Sequence, residues 1–397
     1  MEKVPFFTPV SFQNGTIKNR LTELVDDYFT LNGRKVIVLK KRDLEKSYIV
    51  TNGNKNSLSL KSFFLTAIKI LTYTTVALPL FMLSLKIYLR SQNSFYLEKK
   101  DEFNSVFCFG DIHGELDGFI KNLKKAKIVD EKNSLNPNFK GTLIQMGDVI
   151  DRGPKSYEAF EFLSKIQKEA PKIGSKVVRL LGNHEQLLLE GNYYFANYPN
   201  PEKLAKIIRK DVLEGKVQLA YFDNKRLFTH AGMRDEIKHI VVNEIKNSAF
   251  NRLKRFLSKE VTVSTQDISD HLNYLLKKAA RTNDFSHIVF RAGITRGGKS
   301  PIGGVTWEDI SEIKKPIHTE TVPQIIAHNP PDIKDSTLIR VKNCSRLIVV
   351  DAGLCEFYGN NQAFVKLKNG YFKIIQEKNG WFQKYWEKCK IVDPITA

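Results

Sequence analysis

From residue 105 onward the chain repeats one arrangement, in which a short apolar or β-branched run stops abruptly at a polar residue able to bind a cation. "SVFCFGD" ends on Asp111, two residues before His113; "TLIQMGD" ends on Asp148; "KVVRLLGNH" ends on Asn183 and His184. "RLFTH" then ends on His230, "QIIAH" on His328 and "RLIVVDAG" runs through Asp351. Runs without polar alternation predict strands buried on both faces, as in a largely parallel sheet. Stretches between them, such as "SYEAFEFLSKIQKEA" and "HIVVNEIKNSAFNRLKRFL", place apolar residues at helical spacing. Strands alternating with helices predict an α/β fold, and in open α/β sheets ligands gather at the carboxyl ends of the strands. Residues 235–284 are expected to add helices over that end and form part of a substrate groove.

The pattern changes before residue 105. Residues 1–61 form a polar, basic N-terminal region that includes "GRKVIVLKKRDLEK". From Ser62 to Leu85, "SFFLTAIKILTYTTVALPLFMLSL", the only charge is Lys69, with Lys61 before the segment and Lys86 and Arg90 after it. About 20 apolar residues suffice to cross a bilayer core, so residues 62–90 are read as a hydrophobic membrane segment, the alternative being an interfacial amphipathic helix. Pro79 is compatible with a membrane helix, and the distance from Met1 argues against a cleaved signal peptide. Residues 91–104 read as a linker and 105–397 as the domain that carries these strand-end residues.

Composition changes this picture in two respects. The 62 Lys and Arg against 43 Asp and Glu give a formal charge of +19, which favours anionic partners: a phosphorylated substrate, an acidic membrane surface or nucleic acid. Cys108, Cys344, Cys355 and Cys389 form no C-x-x-C pair, which argues against a zinc knuckle or a disulfide framework and for a reducing, cytosol-like compartment. The expected localisation is membrane-associated with the catalytic domain on that side, or cytoplasmic if the segment does not insert.

A lone histidine at a strand end is usually structural, and a lone Asp before Gly usually marks a turn. The ordered set of Asp, His, Asp, Asn, His and His is different, because these are the oxygen and nitrogen donors of a two-metal hydrolytic site. Asp and His two positions apart in an extended segment can face one side, and the adjacent glycines permit close approach. Three motifs then carry a family resemblance: "GDIHG" at 110–114, "GDVIDRG" at 147–153 and "GNHE" at 182–185, followed by "HAG" at 230–232 and "AHNP" at 327–330. In this order they resemble the PPP-type branch of the calcineurin-like metallophosphoesterases over roughly Ser105 to Ile375.

The resemblance implies a four-layered α/β/β/α sandwich and a phosphomonoesterase. Asp111 and His113 would hold one metal, Asp148 would bridge, and Asn183, His230 and His328 would hold the second. Two divalent ions are implied, manganese first and iron or zinc as alternatives, with a bridging hydroxide attacking phosphorus in line. His184 would protonate the leaving oxygen, Asp151 would orient His184, and Arg152 would grip phosphate oxygens. A second phosphate-binding arginine is either Arg296, favoured by its neighbouring glycines, or Arg291.

Leu181 stands where eukaryotic enzymes of this type usually have Arg before "GNHE", and "AHN" replaces the usual "GHT". Both departures point to the bacterial and phage-like serine/threonine phosphatase side of the family. The complete "DRG" and "NHE" favour phosphoprotein over dinucleoside polyphosphate as substrate. Hydrolysis of dinucleoside polyphosphates or other phosphodiesters is the first alternative, and a non-catalytic membrane adaptor on the same fold is the second. Nucleic acid is not the expected partner, and oligomeric state is not legible.

Overall fold

The computed structural model describes residues 105–248, 262–312, 322–332, 338–342, 347–368, 371–378 and 381–387. The proposed segments 1–61, 62–90 and 91–104 lie outside the described residues. Among the described residues no helix is long and apolar enough to cross a membrane.

Strands β1 (Val106–Phe109), β2 (Thr142–Gln145), β3 (Lys176–Leu180) and β4 (Val217–Gln218) run parallel in one sheet. On the other side of β1 the antiparallel strands β10 (Ala363–Lys368), β11 (Tyr371–Lys378) and β12 (Trp381–Glu387) extend that sheet to seven, in the order β12-β11-β10-β1-β2-β3-β4. The second sheet has the order β5-β6-β7-β9-β8, formed by β5 (Ala220–Phe222), β6 (Leu227–Thr229), β7 (Gln324–Ile326), β8 (Arg340–Lys342) and β9 (Leu347–Val349). Its central strands β6, β7 and β9 are parallel. All six metal-capable strand ends therefore belong to two sets of three parallel strands.

The sequence explains why the sheets pack as they do. β1 and β2 are buried along their whole length, as an unbroken apolar run requires. One face of the first sheet contributes Val106, Cys108, Ile144, Val178 and Val365 to a core shared with Phe228, Ile325 and Ile348 of the second. On the opposite face, Phe107, Phe109, Leu143 and Val177 pack beneath α1 (Leu116–Lys125) and α2 (Ser156–Glu169) through Phe119, Leu123, Phe160 and Leu163. The same apolar cluster continues into α3 (Asn183–Leu189), α4 (Pro201–Leu213), α5 (Asp235–Asn247) and α6 (Thr265–Thr282).

The outer face of the second sheet carries the small cluster of Ile326, Leu347 and Val349 with Ile310, and α6 packs against its edge strand β5. Helices α5 and α6 form within 235–284; α6 packs against α5, α4 and β5, and both helices contribute to the main core. There the apolar stripe has its default use, burial. A clip joins them: Glu244 of α5 lies 2.8 Å from Nε2 of both His271 on α6 and His287.

Candidate metal centre and active site

The turn after β1 is laced to the turn after β2. The amides of Ile112 and His113 both donate to the Asp148 carbonyl, and Gly114 donates to Val149. The Gly153 amide returns a bond to the His113 carbonyl. These bonds hold several residues in the left-handed region: His113 (φ 47), Asp148 (φ 53), Asp151 (φ 70), Arg152 (φ 67) and, after β7, His328 (φ 64). Such backbone persists where surrounding structure over-determines it, and it clusters at functional sites. Close approach also requires glycine at 182, where an added Cβ would lie 2.1 Å from Asp148 Oδ1.

Glu185 organises the meeting of the β2 and β3 loops. Its carboxylate accepts from the amides of Asp148 (2.9 Å), Val149 (2.8 Å) and Gly182 (2.9 Å). It thereby caps α3 while fixing the loop that carries Asp148. Burial and the nearby Asp148 push its pKa up to about 7.

Asp111, His113, Asp148, Asn183, His230 and His328 come together, each between 0% and 6% exposed. Asp148 Oδ2 lies 3.6 Å from His113 Nε2 and 3.4 Å from His230 Nε2, and so faces both halves of the cluster. Asp111 Oδ2 lies 3.8 Å from His113 Nε2. His230 Nε2 is 3.0 Å from Asn183 Oδ1 and 3.2 Å from His328 Nδ1. The other ring nitrogens of His113 and His230 face the carbonyls of Ile150 (3.0 Å) and Met146 (2.8 Å). With the protons held on those nitrogens, the inner nitrogens point lone pairs into the cluster, the outer-shell arrangement typical of metal-binding histidines.

These residues fit a pair of cations. Donor atoms of Asp148, His230 and His328 converge on one side, with Asn183 Oδ1 3.0 Å from His230; those of His113 and Asp148 converge on the other, with Asp111 3.8 Å from His113 and with His184, outside the six, also within reach. Lone pairs brought this close in a dry interior repel unless positive charge sits among them. The electrostatics say the same: burial, reinforced by Asp351 and Asp148, raises Asp111 well above the usual carboxylate range. Burial would lower His230, but Asp148 and the Met146 carbonyl outweigh it and raise the pKa. His113 is lowered to about 3, chiefly by burial. His328 Nε2 and Asp351 Oδ2 are buried without a hydrogen-bond partner.

His184 and Asp151 form a separate pair at the rim of this cluster, with His184 Nδ1 2.7 Å from Asp151 Oδ2. Tyr198 donates to the other Asp151 oxygen at 3.0 Å. The His184 amide is anchored on Asp148 Oδ1 at 2.9 Å, and its ring lies 4.7 Å from that of His113. The two candidate arginines of the later loop separate clearly. Arg296 donates to Asn329, the neighbour of His328, at 2.8 Å, and approaches Asp309 at 2.8 Å. Arg291 donates to the Ser286 carbonyl and is exposed, away from the donor cluster.

The sequence marks Asp351 only as a polar run end outside the implied ligand set, and it gives Tyr198 and Asn329 no role. Asp351 ended one of the six apolar runs, a signal that could have placed it; burial raises its pKa to about 6. Tyr198 and Asn329 reach the site through loop folding and have no comparable signal.

Residues 105–329 match the family model described as calcineurin-like phosphoesterase. An uncharacterised protein of Schizosaccharomyces pombe is 27% identical over 301 residues, covering 68% of this chain and 80% of that one. Shewanella-like protein phosphatase 1 of Plasmodium berghei is 28% identical over 238 residues (50% and 63%), and Shewanella-like protein phosphatase 2 of Arabidopsis thaliana 30% over 105 residues (26% and 27%). The chain thus spans less than two thirds of the length of either named phosphatase. A solved cold-active protein-tyrosine phosphatase of a psychrophilic Shewanella is 19% identical, with a TM-score of 0.48 over 71% of this chain and 80% of that one. With the family match spanning both donor-bearing sheets, the chain belongs to the calcineurin-like phosphoesterases.

Proposed function

We propose that this protein is a metal-dependent phosphomonoesterase acting on phosphoprotein. The observation that carries the reading is the convergence of six buried donor residues beside the His184–Asp151 pair. Asp111, His113 and Asp148 would hold one divalent ion, and Asp148, Asn183, His230 and His328 the other. The chemistry supplied there would be Lewis-acid stabilisation of phosphoryl oxygens and a water made nucleophilic near neutral pH. Manganese is the ion proposed, with iron or zinc as alternatives.

The protein's own groups account for the rest. With its Nδ1 proton held by Asp151, His184 keeps Nε2 free to hold the proton that the leaving oxygen needs. Tyr198 fixes the Asp151 carboxylate and hence the plane of the ring. Arg152 and Arg296 supply charge for the phosphate oxygens, and a planar guanidinium suits that task. Arg296 is preferred to Arg291 because it reaches Asn329, the neighbour of His328, whereas Arg291 is exposed and donates to the Ser286 carbonyl.

Phosphoprotein is preferred as substrate because two of the relatives are named protein phosphatases. The test is a panel of phosphopeptides, dinucleoside polyphosphates and oligonucleotides assayed with Mn²⁺, Zn²⁺, Fe²⁺ and Mg²⁺. Phosphopeptide turnover should dominate. Faster cleavage of a dinucleoside polyphosphate or phosphodiester would reassign the substrate, and no hydrolysis with any metal would favour a binding role.

A further inference from the structure

Arg152 has an unusual environment for a buried-stem cation. No carboxylate among the described residues lies within ion-pair distance of it, and its Nε is buried without a hydrogen-bond partner. Its guanidinium carbon lies instead over three aromatic rings: Phe357 at 4.8 Å, Tyr358 at 5.1 Å and Phe195 at 5.4 Å. Phe195 comes from the loop between α3 and α4, and Phe357 and Tyr358 from the loop between β9 and β10. At the backbone end, Asn197 donates to the Arg152 carbonyl at 2.9 Å, so the residue is held at both ends.

The exposure of the rings decides between two explanations. A phenylalanine that packs a core is buried, yet Phe357 is 66% exposed and Phe195 37% exposed. Phe357 keeps most of its surface in water, which core packing does not explain, and Phe195, still more than a third exposed, packs against rings of the site itself, 4.9 Å from that of His184. A ring face attracts a guanidinium through its quadrupole without neutralising it and without occupying its N–H groups. A carboxylate partner would do both, and would compete with a phosphate for the same donors.

We infer that Phe195 and Phe357 are positioning residues that hold Arg152 by their ring faces, leaving its charge and N–H groups free for substrate phosphate. The inference rests on the reading of Arg152 as a phosphate-binding residue. Tyr358 is the third ring of the cage, and it lies 5.7 Å from the ring of His113.

The test uses the metal-loaded full chain and inorganic phosphate as the probe, measured by titration calorimetry and as a competitive inhibitor. Phe195→Leu with Phe357→Leu keeps apolar bulk and removes the rings. It should weaken phosphate binding about 5–30-fold, the sum of two exposed cation–π contacts. KM for a small phosphate ester should rise by a similar factor, with kcat changing less, while Phe357→Tyr should behave as the parent. In an Arg152→Ala background the two leucine changes should cost less than about 2-fold, since the coupling runs through the arginine. Phe357→Leu alone, at the more exposed position, covers the case in which the double variant unfolds.

Normal phosphate binding by the leucine variants, with Arg152→Ala impaired, would overturn the cage while sparing the role of Arg152. An equal leucine effect with and without the arginine would also overturn it, because the rings would then act on the ligand or the fold directly. Unchanged phosphate binding by Arg152→Ala would remove both the cage and the arginine's role, leaving the hydrolytic reading to be judged by turnover.

Discussion

Asp148 faces both halves of the centre. One oxygen accepts the His184 amide and the other faces His113 and His230 from a left-handed backbone. Burial would raise its pKa, but His230 and His184 outweigh that and hold it well below the usual carboxylate range. Asp148→Asn keeps the shape and removes the charge, so it should abolish hydrolysis and lower bound metal while the fold survives. Metal analysis beside turnover checks this; both metals with near-native activity would sink the bridging role. His184 predicts a different signature. His184→Asn should keep metal and slow alkyl phosphates by about 10²–10⁴-fold, the usual cost of losing a general acid. Nitrophenyl phosphate, whose leaving group needs no proton, should suffer less. Equal losses on both substrates would make the histidine structural.

At the level of elements, the site depends on turns at strand ends and its support depends on helix contacts. The clip of Glu244 between His271 and His287 ties α5 to α6 and to the loop that follows. Burial would raise the Glu244 pKa, but hydrogen bonds from both histidines outweigh it and lower it below 4.5. For a depressed carboxylate the stabilisation is present above the unfolded value and disappears as pH falls through the folded one. Glu244→Gln should therefore cost about 1–2 kcal/mol near neutral pH, two partly exposed charge-assisted bonds. The gap between variant and parent should close as pH drops below about 4.5. Thermal unfolding of both proteins across pH 3–7 reads this directly, and a gap independent of pH would assign the loss to packing instead.

For the whole molecule, the first hundred residues and the domain that follows them make separate predictions. Every donor of the centre lies after residue 104, and the described residues all fall in one unit, Phe103–Ala397. A chain beginning near Asn104 should stay soluble and hydrolyse small phosphate esters. If Ser62 to Leu85 inserts, the full chain should sediment with membranes and resist both salt and carbonate, because hydrocarbon burial is not screened as surface charge is. Release by salt alone would indicate peripheral attachment through the basic residues, worth ~1 kcal/mol each near an anionic leaflet. Aggregation or metal loss in the shorter chain would mean that the apolar stretch belongs to the catalytic core.

The strands and the donors were legible in the sequence because an apolar run that ends on a charge has few stable settings: β1, β2, β3, β6, β7 and β9 all deliver their polar residue where the strand leaves the core. The local motifs also carried Glu185 and Asp151, since their partners lie on neighbouring turns. Other features depended on chain segments far apart in sequence. The glycines beside Arg296 favoured it over Arg291 in the sequence, but that Arg296 reaches Asn329 while Arg291 turns to Ser286 depends on segments that meet only in the fold. Helices α5 and α6 showed their apolar stripes but not which surface would bury them, because periodicity encodes a face and not its partner. Phe195 and Phe357, 162 positions apart by their numbering, look like ordinary loop aromatics until the two loops meet over Arg152. Local composition determines which segments bury and where they stop. Which distant side chains then share a cation, a proton or an arginine is decided by the sheet order that brings their turns together.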